Sequence, residues 1–298
     1  MHVGSLVALV LTSLVTTSLS PGDYKRTLLS EGIPRDYWVH VPPGYDAAKP
    51  TPVVLILHQA MSNASMMAKF CGMNEKADQA GFVAVYPNGT GMTPFMKYWD
   101  AGGVRGDVSD DVGFLGRVLD DLETVIHVDP KRVYAAGMSL GGMMCYRLAA
   151  ELSDRIAAIA SVSGTMAIDD AHPKRPVPIL HFHGTKDGLV LYNGPDERTP
   201  ENIKFASVDQ TIQTWAKING CSDPPAVDVV PQSAEDLEVR RSVYGPGTDG
   251  AEVVLYAIEG GGHTWPGRSP RLFFLGETAK DFLANDVIWD FFLKHPMR

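Results

Sequence analysis

Val133-Tyr134-Ala135-Ala136-Gly137-Met138-Ser139-Leu140-Gly141-Gly142 is the stretch on which the reading of the fold turns. Val133 to Ala136 is a short apolar run of strand type, and Leu140 to Glu151 reads as a helix, so the Gly-x-Ser-x-Gly between them lies on a strand-to-helix turn. Such a turn is sharp enough to lift the Ser139 Oγ clear of the sheet edge. Glycines at 137 and 141 remove side chains where strand and helix crowd together. The Leu140 N–H, at the start of the helix, points where a developing oxyanion would need a donor.

Working outward, the pattern repeats. Apolar runs of strand type occur at Val53–Leu57, Phe82–Tyr86, Ile156–Val162, Val177–Phe182 and Val253–Ile258, and Arg240–Tyr244 reads as a further late strand. Helices are predicted at Ser65–Ala80, from Val112 to Ile126, at Val208–Ile218 and at Ala284–Lys294. Ahead of them, Tyr24–Leu29 and Arg35–Val41 read as a hairpin turned at Ser30-Glu31-Gly32. The alternation predicts an α/β fold, with one mostly parallel sheet, helices on both faces and an N-terminal antiparallel hairpin. No linker or internal repeat divides the chain. Only residues 162–176 separate the strand ending near Val162 from the one starting at Val177, at the place where a cap domain would be inserted, so an open site without a cap is expected.

A serine at neutral pH needs a base and an acid to orient that base. Asp187 follows the strand Val177–Phe182 in His183-Gly184-Thr185-Lys186-Asp187. His263 follows Val253–Ile258 in Glu259-Gly260-Gly261-Gly262-His263. The order Ser139, Asp187, His263, with all three at carboxyl ends of strands, is that of a nucleophile, its acid and its base. Asp169 and Asp170 are rival acids. The second oxyanion donor is expected from His58-Gln59-Ala60-Met61, at the Ala60 N–H. His181-x-His183 could hold zinc, but no further cluster has ligand spacing, so neither metal nor cofactor is expected.

Composition narrows the partners. The 298 residues carry a net charge of −9 and no Lys/Arg-rich run, which argues against nucleic acid or an anionic membrane as a partner. Gly4 to Val15 is apolar but too short to span a bilayer, and small residues follow to Ser20. Residues 1–20 are read as a secretory signal and 21–298 as the catalytic domain, which implies an extracellular or periplasmic protein. After export Cys71 and Cys221 could pair, leaving Cys145 buried behind the elbow. Oligomeric state is not legible.

Several motifs carry a family resemblance. They are Gly137-Met138-Ser139-Leu140-Gly141-Gly142-Met143, His183-Gly184-Thr185-Lys186-Asp187, Gly262-His263-Thr264-Trp265-Pro266-Gly267, Arg35-Asp36-Tyr37, Tyr86-Pro87-Asn88-Gly89 and Asp110-Asp111-Val112-Gly113-Phe114. Over residues 24–295 the chain resembles the polyhydroxybutyrate depolymerase/feruloyl esterase family of α/β-hydrolases. That resemblance implies a secreted serine carboxylesterase acting on hydroxyacyl polyesters or acylated plant polysaccharide. Gln59 departs from the glycine usual in the family. Trp99, Trp265 and Gln59 are the candidate substrate-binding residues, the two indoles as stacking platforms for an aromatic or sugar ring, with Phe95 and Tyr98 beside Trp99. The chain ends at its last core helix, with no appended polymer-binding module, which favours soluble oligomers or short esters over solid polyester. A non-catalytic binding module of the same fold is the competing reading, and the complete Ser–Asp–His set argues against it.

Overall fold

In the computed structural model, which describes residues 18–91, 93, 95–104, 109–270 and 272–298, strands and helices alternate much as the apolar runs predict. The first half runs β1 (Gly22–Ser30), β2 (Ile33–Val41), β3 (Thr51–Leu57), α1 (Ala64–Cys71), α2 (Met73–Ala80), β4 (Val83–Pro87), α3 (Asp111–Glu123), β5 (Val128–Met138) and α4 (Leu140–Glu151). The second half runs β6 (Ile159–Val162), β7 (Ile179–Gly184), α5 (Val208–Ile218), β8 (Ala226–Val230), β9 (Val239–Tyr244), β10 (Val253–Ile258) and α6 (Ala284–Lys294). The sheet order is β1-β2-β4-β3-β5-β6-β7-β10-β9-β8. The six strands from β4 to β10 in that order are mutually parallel, and antiparallel pairs close both edges. A parallel centre puts the carboxyl ends of β5, β7 and β10 on one edge of the sheet, where Ser139, Asp187 and His263 follow them.

Central strands are apolar on both sides because both sides are covered. Val53, Leu55 and Leu57 of β3 join the core beneath α3, α4 and α5. Val54 and Ile56 join the core beneath α1, α2 and α6. Each such side chain, fully buried, contributes about 1.5–3 kcal/mol. Residues 163–178 form no helix or strand, so no cap stands over the edge at the expected insertion point.

Three expectations change. The helix Ser65–Ala80 is two helices, broken at Gly72, which has φ 69°. The Arg268 guanidinium occupies the space a Cβ at Gly72 would need, and Arg268 Nε donates to the Cys71 carbonyl at 3.1 Å. Strand β8 was not anticipated, because it is an outer edge strand with nothing to bury: Val227 and Val229 are exposed. Cys71 and Cys221 do not pair. Cys71 is buried in the core beneath α1, whereas Cys221 packs against the core on the opposite face, and all three cysteines are free thiols. Burial pushes the Cys71 thiol up to about 11. Residues 1–17 of the expected signal lie outside the described residues; Ser18 and Leu19 bond the Val125 carbonyl. Among the described residues no helix is long and apolar enough to cross a membrane.

Candidate active site

Ser139 sits between β5 and α4 with φ 56° and ψ −124°, a conformation that costs a non-glycine residue about 1–3 kcal/mol. The surrounding backbone imposes it. Ser139 N–H donates to the Val162 carbonyl at 2.8 Å, and its own carbonyl accepts from Met143 N–H at 2.9 Å. A Cβ at Gly137 would lie 2.4 Å from the Gly141 carbonyl, one at Gly141 2.3 Å from the Leu57 oxygen, and one at Gly164 2.3 Å from the Ser139 oxygen. No side chain caps α4, so its first N–H groups, Leu140 among them, are left for a ligand and carry the positive end of the helix dipole.

Asp187 and His263 are in contact. His263 Nδ1 lies 2.7 Å from Asp187 Oδ2, with both side chains nearly inaccessible. A carboxylate only accepts, so Nδ1 carries a proton, and Nε2 is the nitrogen whose lone pair can take one up. Asp187 Oδ1 accepts from the Leu189 and Val190 N–H groups at 2.8 and 2.9 Å. Burial, the largest cause, raises the Asp187 pKa, but the hydrogen bond from His263 first and the Leu189 N–H with it outweigh burial and hold the carboxyl below its ordinary range. The His263 loop is anchored by His263 N–H to the Leu275 carbonyl at 2.7 Å and Gly262 N–H to Glu277 at 2.9 Å. Ser163 Oγ donates to the Thr264 carbonyl at 3.3 Å, tying that loop to the segment packed under the elbow. Among the described residues no hydrogen bond joins Ser139 Oγ to His263; such bonds are often long in unliganded enzymes and tighten with substrate. Asp169 and Asp170 are exposed in the loop 163–178, and neither reaches His263.

The loop after β3 is braced from beneath. His58 is wholly buried; its Nδ1 donates to the Gln59 carbonyl at 2.8 Å and its Nε2 accepts from Gly89 N–H at 3.1 Å. Burial drives its pKa down to about 4, so it is neutral. Ala60 and Gln59 are half-buried, and among the described residues the buried Gln59 side-chain oxygen has no hydrogen-bond partner. The loop from 88 onward is fixed by a buried ion pair, Arg35 to Asp111 at 2.6 Å. Arg35 also donates to the Asn88 carbonyl and stacks on Phe114, while Asp111 accepts from Asp100 N–H. Three of the sequence motifs are thus one brace.

The two indoles are not substrate platforms. Trp99 is fully buried, donating Nε1–H to the His58 carbonyl at 2.9 Å with the rings 4.9 Å apart. Trp265 is fully buried in the core beneath α6 and donates to Asn285 at 2.8 Å. The aromatic side chains exposed on these loops are others: Phe95 at 71%, Phe273 at 94% and Phe274 at 61%. Met61, Leu189 and Leu272 are exposed as well, each on a loop that carries a candidate site residue or its anchor. The run Leu272-Phe273-Phe274-Leu275 in a segment outside any strand or long helix was the available signal for that surface, and the sequence reading passed over it.

Comparison with known proteins agrees with this geometry. Residues 35–187 match the family model described as esterase PHB depolymerase. Feruloyl esterase B of Piromyces equi is 32% identical over 76% of this chain and 42% of its own length. The bifunctional acetylxylan esterase/xylanase XynS20E of Neocallimastix patriciarum is 34% identical over 81% of this chain and 32% of its own. The chain thus spans less than half the length of either relative. The acetyl xylan esterase from Aspergillus awamori superposes with a TM-score of 0.59 over 81% of this chain and 94% of its own, at 16% identity, a likeness of fold. With its elbow serine, its acid–histidine contact and this match over half its length, the chain belongs to the PHB depolymerase family of esterases on the α/β-hydrolase fold.

Proposed function

We propose that the protein is a serine carboxylesterase that releases acyl groups, feruloyl or acetyl, from plant polysaccharide through an acyl-enzyme at Ser139. The observation that carries the reading is the 2.7 Å contact of His263 Nδ1 with Asp187 Oδ2, which leaves Nε2 free on the sheet edge where the elbow presents Ser139. In the first half-reaction Ser139 Oγ attacks the ester carbonyl and its proton passes to His263 Nε2. The Leu140 and Ala60 N–H groups receive the oxyanion. As the tetrahedral adduct collapses, the C–O bond to the alcohol breaks and the alcohol leaves with the proton from His263. Water then repeats the sequence on the acyl-enzyme, restoring Ser139 and releasing the acid. Asp187 holds the histidine tautomer and stabilises the imidazolium without taking the proton.

The relatives named for feruloyl and acetylxylan esters support the substrate class. So does the lack of a cap after β6, since an ester that protrudes from a polymer needs an open edge. Gln59, beside Ala60 on the loop after β3, is the residue we propose to hydrogen-bond a substrate hydroxyl. The apolar leader-like stretch before Ser20 supports export. The exposed run Leu272–Phe274 favours one second reading, hydrolysis of hydroxybutyrate oligomers or films, because it offers a polyester an apolar contact surface. Two measurements test the proposal. A fluorophosphonate should label the protein stoichiometrically, and only at Ser139. Turnover of methyl ferulate, acetylated xylan, short p-nitrophenyl esters and hydroxybutyrate oligomers should favour the first two; faster clearance of polyhydroxybutyrate films than release of ferulate or acetate would select the polyester reading.

A further inference from the structure

A second chain of polar groups runs behind the acid, wholly inside the protein and unused by the reaction as written. Tyr146 on α4 places its hydroxyl 2.7 Å from His181 Nδ1. His181 Nε2 lies 3.1 Å from His183 Nδ1, with the imidazoles stacked nearly parallel at 5.2 Å. His183 Nε2 lies 2.8 Å from the Val190 carbonyl and 3.4 Å from Asp187 Oδ2. Tyr146, His181 and His183 are all fully buried.

Only one arrangement of protons satisfies this chain. The Val190 carbonyl and the Asp187 carboxylate can only accept, so His183 must carry its proton on Nε2. Its Nδ1 is then a bare lone pair in a dry interior, and the one donor in reach is His181 Nε2–H. His181 Nδ1 must in turn accept, and the Tyr146 hydroxyl donates to it. The reverse order would set the His183 Nε2 lone pair against two oxygens. Burial lowers the pKa of His181 and of His183, which agrees with both being neutral. The chain ends on the residue that matters: Val190 gives its carbonyl to His183 and its N–H to Asp187 Oδ1, two successive peptide groups joined at one Cα.

We propose that His183 is a positioning residue for Asp187, holding Val190 by its carbonyl and so fixing the residue whose N–H orients the carboxylate, and that Tyr146 and His181 lock the His183 tautomer required for that grip. This rests on the reading of Asp187 as the acid of a serine esterase. It assigns a role to the two histidines that sequence spacing alone could offer to a metal. It also makes α4, which begins at the nucleophile, the element that terminates the network behind the acid. One helix is therefore tied to both halves of the site.

The test uses the intact protein. Side-chain nitrogen NMR should find His181 and His183 neutral, both protonated on Nε2, at neutral pH. His183→Leu should lower kcat for a p-nitrophenyl ester about 10- to 100-fold with KM within about twofold, and should broaden or shift the downfield proton of His263 Nδ1. His183→Gln, which keeps a donor toward Val190, should recover a large part of kcat. Tyr146→Phe should fold, leave KM unchanged and move the His181 nitrogen shifts. A folded His183→Leu with undiminished kcat and an unmoved His263 resonance overturns the proposal, as does an Nδ1-protonated His183 in the parent protein. Should His183→Leu not fold, the tautomers and the Tyr146→Phe shifts decide it. Fluorophosphonate labelling of the parent protein separates the two failures: no label at Ser139 removes the esterase mechanism, whereas labelled Ser139 with the wrong tautomers removes only the positioning role.

Discussion

At the scale of single residues, the proposed chemistry turns on an elbow serine at φ 56° and on a carboxylate 2.7 Å from a histidine nitrogen. Ser139, Asp187 and His263 were legible because a strained elbow, an acceptor-only carboxylate and a histidine on a glycine-rich loop have few other uses together. Ser139→Ala is expected to lower kcat by about 10⁵–10⁶, and Asp187→Asn by about 10⁴ with folding kept, both read by steady-state kinetics on a p-nitrophenyl ester. If Asp169→Asn or Asp170→Asn were the crippling change, the acid would be misassigned. Trp99 and Trp265 were misread because a loop tryptophan looks the same in sequence whether its ring faces solvent or core. Trp99→Phe removes a buried donor from the His58 carbonyl and should weaken turnover of all esters by a common factor. Phe273→Ala touches nothing in the core. It should raise KM for methyl ferulate about 2- to 10-fold, the worth of a stacked ring, and leave p-nitrophenyl acetate unchanged. Equal effects of Phe273→Ala on both esters would remove that residue from the acyl site.

Elements were legible where they are buried on both faces, and the N-terminal hairpin where a Gly turn joins two short strands. The runs in β3, β4 and β10 are continuous because two helical layers cover them. Strand β8 has no such layer: its Ala226-Val227-Asp228-Val229-Val230 is apolar in sequence yet lies exposed at the sheet's edge, and the break between α1 and α2 depends on Arg268, nearly 200 positions further along. The contact that seats α4 on the sheet was encoded openly, as Gly141. A methyl there would meet the Leu57 and His58 carbonyl oxygens at 2.3 and 2.7 Å, neither of which can yield without moving β3 or the oxyanion loop. Gly141→Ala should therefore lower stability by about 1–3 kcal/mol in urea titration and lower kcat more than 100-fold, because the Leu140 N–H moves with the helix. Asp111→Ala tests the brace on the far side of the site. It leaves the Arg35 guanidinium buried without its anion, and about 3–5 kcal/mol of stability should go with it.

For the whole molecule, the decisive charges are those the fold keeps from forming. His58, His181 and His183 are fully buried and neutral, and burial, the leading cause in each, holds their pKa values below the ordinary 6.5. Unfolding exposes three imidazoles that bind protons below about pH 6.5, while the folded protein leaves them bare. The unfolded state then carries more protons, so stability is present above pH 6.5 and is lost as pH falls; for His58 the loss continues down to its folded value of about 4. His40 works in the other direction. Its bonds to Asp23 and Asp78 outweigh burial and raise its pKa, so its contribution is full below 6.5 and fades as pH rises. Stability should peak near neutrality and fall by up to about 4 kcal/mol per pH unit on the acid side, where three protons are taken up on unfolding. Urea titrations from pH 7 to pH 4.5 measure that slope. His181→Phe should flatten it by about a third, whatever it does to stability at pH 7. An esterase whose stability is level from pH 7 to pH 5 would have these histidines charged or solvated in the fold, and the neutral tautomer chain behind Asp187 could not exist.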